Sequence, residues 1–66
     1  MPQYRCYILD KNDKIAAESR IQAEDDAGAL TKAADRLRVA EAFPVIEVWY
    51  RQRMVGRVLQ RDHKVD

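Results

Sequence analysis

Three groups of side chains have residue types and spacings that could do chemistry. Asp10, Asn12 and Asp13 lie close together, as at the start of a calcium-binding loop. Such a loop asks for glycine at its sixth position and glutamate at its twelfth. Counting from Asp10, those places hold Ile15 and Ile21, so a tight turn built on short polar side chains is the better reading. Glu24, Asp25 and Asp26 could pair carboxylates for proton transfer, but the positive end of a helix dipole calls for the same residues without any catalysis. Cys6 is the only cysteine, and no histidine is placed to activate it, because the single His63 stands near the opposite end. Cys6 therefore reads as a small core residue, and His63 as a solvated one. Together they fall short of a structural zinc set. With Gly28 and Gly56 the only glycines, there is no phosphate-cradling loop, and one histidine leaves no Ser-His-Asp set. The expectation is a protein that is not an enzyme, with no cofactor and no metal.

A further pattern interleaves basic and aromatic residues: Arg5 and Tyr7 early, then Trp49, Arg51, Arg53 and Arg57. Aromatic rings on a sheet can stack bases while guanidinium groups contact phosphates. The whole chain, however, carries 12 Lys+Arg against 11 Asp+Glu, a formal charge of +1, which lacks the strong field of a dedicated nucleic-acid binder.

The elements that must position these residues follow from periodicity. Tyr4 to Leu9 alternates, with Tyr4, Cys6 and Ile8 on one face and Arg5, Tyr7 and Leu9 on the other. After a turn over 10–14, Ile15 to Ala23 forms a second strand with Ile15, Ala17, Ser19 and Ile21 on one side. The period then changes. Asp25 is placed to cap a helix whose stripe is Ala29, Leu30, Ala33, Leu37 and Ala40, and Pro44 is expected to end it near Glu41 or Ala42. Gly28 in the first turn costs about 1 kcal/mol against alanine.

Pro44 to Tyr50 is the strongest strand signal, and Met54 to Gln60 makes a fourth. A loop of Arg51, Gln52 and Arg53 would set Trp49 against Val55, Val48 against Gly56 and Glu47 against Arg57, with Ile46, Val48, Met54 and Val58 turned to the core. The expected fold is α+β in the order β-β-α-β-β: one helix packed on one face of a four-stranded antiparallel sheet, with strand order 2-1-3-4. Residues 1–60 form the single domain, and 61–66 a charged, frayed tail.

The face without the helix is the expected working surface, carrying Arg5, Tyr7, Leu9, Glu47, Trp49, Val55 and Arg57. Its apolar members would make a larger patch than monomers usually leave in water. A chain of 66 residues buries only about 60% of its unfolded surface, and no disulfide within the chain can staple it. Self-association into a homodimer through this face answers that shortfall. Another protein is a second partner, and a single-stranded nucleic acid the alternative. No apolar run approaches a membrane span, and Met1-Pro2-Gln3-Tyr4 lacks the basic-then-apolar layout of a secretory leader. Membrane is therefore not an expected partner, and a cytoplasmic location is.

The opening Met1-Pro2-Gln3-Tyr4-Arg5-Cys6-Tyr7-Ile8-Leu9-Asp10, the pair Asp25-Asp26 before Ala29 and Ala33, and Ile46-Glu47-Val48-Trp49 with Arg53 to Val58 resemble a group of short ββαββ proteins of rhizobia and related bacteria. That group has no known activity to carry over. This chain departs from it at Leu37 to Phe43 and at Gly28. The first half is also similar to HicB-type antitoxins, which implies a toxin partner, although those have a different strand count before the helix.

Overall fold

The computed structural model describes residues 1–60, and the tail 61–66, with His63, lies outside the described residues. Its elements are β1 (Gln3–Leu9), β2 (Ile15–Gln22), α1 (Asp26–Val39), β3 (Val45–Tyr50) and β4 (Arg53–Leu59). They form an α+β fold with one four-stranded antiparallel sheet in the order β2-β1-β3-β4. Strand order and central pairing are as the sequence implies.

Local chemistry explains each boundary. The Asp10 carboxylate accepts the amides of Asn12 at 2.8 Å and Lys14 at 3.0 Å, so it is spent on closing the β1–β2 turn. Asp13 takes the left-handed φ of 63° within it. At the helix start Asp25 accepts from the Gly28 amide at 2.8 Å. A Cβ on Gly28 would come within 3.2 Å of that same carboxylate and 3.6 Å of the Ala23 methyl, so glycine keeps the cap close to the preceding strand.

The helix ends at Val39, earlier than the expected Glu41 or Ala42. Pro44 restrains only its neighbour Phe43. The break comes at Ala40, which leaves helical geometry at φ −93°, ψ 64° while its amide still reaches Arg36 O. Phe43 then donates to Ala40 O at 3.0 Å, in a turn that brings its ring against the core. The Gln60 amide closes this end, donating to the carbonyls of Leu37 at 2.8 Å, Phe43 at 3.3 Å and Ala40 at 3.4 Å.

Two irregularities reassign faces. The β3–β4 turn holds two residues, Arg51 and Gln52, rather than the expected three, and Arg51 takes φ 58°. Tyr50 therefore faces Arg53, and Trp49 faces Met54. The register shifts at that point before Val48 meets Gly56 and Glu47 meets Arg57, the two pairings the sequence implies. Met54 thus joins the helix-free side, while Val55 packs against the core, the reverse of what strict alternation dictates. On β2 a similar shift sets Ile15 opposite Leu9 instead of on the core side with Ala17.

The core lies between α1 and the inner face. Ala29, Ala33 and Leu37 bury against Cys6, Ile46 and Val48, all of them at or near zero exposure. Small alanines let α1 sit close, and it lies mainly over β3 and β4. Gly56 contributes to that placement, since a Cβ there would approach Leu30 Cδ2 to 3.3 Å. The inner side of β2 is consequently left beside an open groove rather than beneath the helix.

Candidate binding face

Cross-strand register arranges the helix-free face as three rows. The first runs Arg20, Arg5, Trp49, Met54; the second Glu18, Tyr7, Glu47, Arg57; the third Ile15, Leu9, Val45, Leu59. One end of the face is basic and aromatic, the middle alternates in charge, and the far end is apolar.

In the middle row Glu47 is only 14% exposed and is fully occupied. Its Oε2 accepts from Arg57 Nε at 3.1 Å and Nη2 at 2.9 Å, and its Oε1 accepts from Trp49 Nε1 at 3.2 Å. These bonds orient the indole and set the Glu47 charge against Arg57. In the first row, Arg5 donates to Arg51 O at 3.2 Å, holding the β3–β4 turn against β1. Gln3, Arg5, Arg20 and Arg51 line a shallow depression of about 310 Å³. None of these three arginines ion-pairs with a carboxylate among the described residues. Arg51 lies 5.4 Å from the Tyr50 ring centroid, within cation–π range.

Of the residues the sequence nominates, Arg5, Tyr7, Glu47, Trp49 and Arg57 do share this face. Trp49 and Tyr7 are half-buried and lie outside the core cluster. Leu9 is on the same side but is 4% exposed, with Val45 beside it at 8%, so it offers no open contact surface. Val55 belongs to the opposite side for the reason given above. Arg53, expected among the phosphate-contacting arginines, is committed elsewhere, to Asp26 at 3.2 Å.

Sequence reasoning overlooked Arg20, Ile15, Val45, Met54 and Leu59. Arg20, Val45 and Leu59 could have been found by parity, since they alternate with core residues on their own strands. Ile15 and Met54 could not, because each depends on a register shift.

The charged groups with altered affinity for protons lie at the helix start, away from this face. The Arg53 guanidinium, followed by the Tyr4 hydroxyl donating at 3.0 Å, holds the Asp26 carboxyl below its usual value. Burial, reinforced by that hydrogen bond, pushes the Tyr4 phenol up. Tyr4 also packs on Tyr50, with ring centroids 5.1 Å apart. Burial likewise raises the Cys6 thiol, which is enclosed in the core as a neutral apolar group. Among the described residues no three His, Cys, Asp or Glu side chains converge as a metal site would need, and no helix is long and apolar enough to cross a membrane.

Compared with protein families, with curated proteins and with solved structures, the chain matches none of them.

Proposed function

We propose that this chain is a small non-catalytic binding module, working as a homodimer, whose recognition surface is the helix-free sheet face. The observation that carries this reading is the first row and its neighbours: Arg5, Arg20 and Arg51 without a carboxylate partner, beside a half-buried indole that Glu47 holds in place. Guanidinium groups without a carboxylate partner, next to oriented rings, suit an acidic polymer with stackable bases, that is, a single-stranded nucleic acid. The near-neutral total charge does not oppose this, because Arg5, Arg20 and Arg51 gather at one end of one face while residues 24–43 carry five acidic groups against three basic ones.

A titration of Trp49 fluorescence with a single-stranded oligonucleotide at low salt tests the reading. Quenching that weakens steeply as salt rises is expected. No change with either a DNA or an RNA strand removes the nucleic-acid partner and leaves a protein partner.

Face-to-face contact between two copies is a second reading, favoured by the third row. Ile15 and Leu59 flank the buried Leu9 and Val45 and are themselves 61% and 66% exposed. If this face is the contact, Trp49→Ala raises the dimer dissociation constant more than about tenfold, and Leu59→Asp abolishes the dimer. A dimer indifferent to both places the contact elsewhere.

A further inference from the structure

The sheet has two edge strands, β2 and β4, and four observations bear on what covers the β2 edge. First, its backbone is unsatisfied on one side. The Ala23 amide donates to Pro2 O toward β1 at 3.2 Å. By alternation, Ile21, Ser19 and Ala17 direct their amides and carbonyls toward β1 as well, while Gln22, Arg20 and Glu18 direct theirs outward. Among the described residues only Gln22 O finds a partner there, from Lys32 Nζ. Second, α1 does not shield this edge. It stands off across a groove of about 770 Å³ whose wall includes Ile8, Ala17, Ile21 and the exposed Val39. Third, the hydroxyl of Ser19, on the inner side opposite Cys6, is buried with no hydrogen-bond partner among the described residues. Such a group costs stability until something pairs with it.

The fourth observation concerns the strand's own sequence. Around Ser19, β2 is complementary to itself when reversed. With a two-fold axis through Ser19, Glu18 falls opposite the partner's Arg20, and Arg20 opposite the partner's Glu18, all on the helix-free side. Ala17 meets the partner's Ile21 on the helix side, and the two Ser19 residues face each other. A shift by two residues either way puts Glu18 opposite the partner's Glu18 or Arg20 opposite the partner's Arg20, and like charges directly opposite are destabilising. A shift by one puts core-side residues opposite outward ones.

We infer that β2 pairs antiparallel with β2 of a second copy of this chain, in the register centred on Ser19. Glu18 and Arg20 exchange backbone hydrogen bonds with their counterparts. Ser19 then occupies a non-hydrogen-bonded position, where facing side chains come closest and rotation about χ1 lets the two hydroxyls bond each other. The two sheets become one, with both helices on one side and both helix-free faces coplanar on the other. Each copy's Arg20 then lies beside the partner's Glu18, so the basic row of one recognition face runs into the charge-alternating row of the other. The inference rests on the homodimer reading and specifies its interface.

Charge exchange across the axis tests it by sedimentation at micromolar concentration. Both side chains are exposed, so the monomer fold tolerates the changes. Arg20→Glu alone and Glu18→Arg alone each set like charges opposite one another twice, and each is expected to raise the dissociation constant about tenfold. The double exchange, Glu18→Arg with Arg20→Glu, restores wild-type affinity. A dimer that ignores both single variants overturns the edge pairing while leaving a homodimer standing. A wild-type monomer overturns both.

Discussion

The two ends of the sheet are built differently. At the β3–β4 end, α1 lies directly over the strands, and Gln60 fastens the helix terminus to the loop before β3. Asp26, Arg53 and Tyr4 link the helix start to the outermost strand. At the β2 end a groove replaces the helix, the strand side chains other than Ile15 and Ile21 are small or polar, and one buried hydroxyl has no partner among the described residues. A small chain with one helix cannot cover the whole sheet, so it concentrates its core at one end. The other end is left with an open strand edge beside the groove.

The largest expected effect separates core strand from edge strand. Ile46→Ala, at a fully buried position, should cost about 2–5 kcal/mol, and Ile15→Ala under about 1 kcal/mol. Denaturant midpoints at unchanged slope measure both, and equal losses would erase the contrast. Next in size, Gln60→Ala should cost about 1–3 kcal/mol, since it strips partners from the Leu37, Ala40 and Phe43 carbonyls. Amide exchange in the last turn of α1 should accelerate more than exchange in β2. Uniform acceleration would mean that the two ends unfold as a unit.

The smallest effect is a pH dependence. Arg53, then Tyr4, depress the Asp26 carboxyl below its ordinary value of 3.8. A depressed carboxyl contributes stability that is present above the unfolded value and is lost as pH falls through the folded one. Stability attributable to this contact therefore persists at neutral pH and fades below about pH 4. In Asp26→Asn the acid limb should be shallower than in wild type, and parallel limbs would show that the contact contributes nothing. Because both partners are substantially exposed, salt should reduce the difference.

Much of this architecture was legible because it depends on neighbours in sequence. Alternation fixed which side of β1 and β3 faces the helix, the change of period marked α1, and Asp25 and Asp10 have the chemistry of caps and turns. Opposite charge at Glu47 and Arg57 selected the right pairing even though the assumed loop was one residue too long. The candidate face was legible at Arg5, Tyr7, Glu47, Trp49 and Arg57 and failed at Val55, while Leu9 lies on the expected side but is buried.

What the sequence determined, then, is the β-β-α-β-β order, the central pairing and the inner and outer sides of the middle strands, since a period of two or of about 3.6 is written into the chain itself. The tertiary structure alone decided the register shifts near Ala16 and Val55. An extra residue in a strand is stabilised by what it packs against, not by its own neighbours. Those shifts turn Ile15 and Met54 outward and Val55 inward. The tertiary structure also placed α1 over one end of the sheet, through close packing over Gly56 that no local pattern announces. The bare edge of β2, and with it the Ser19 hydroxyl that has no partner among the described residues, follows from that placement.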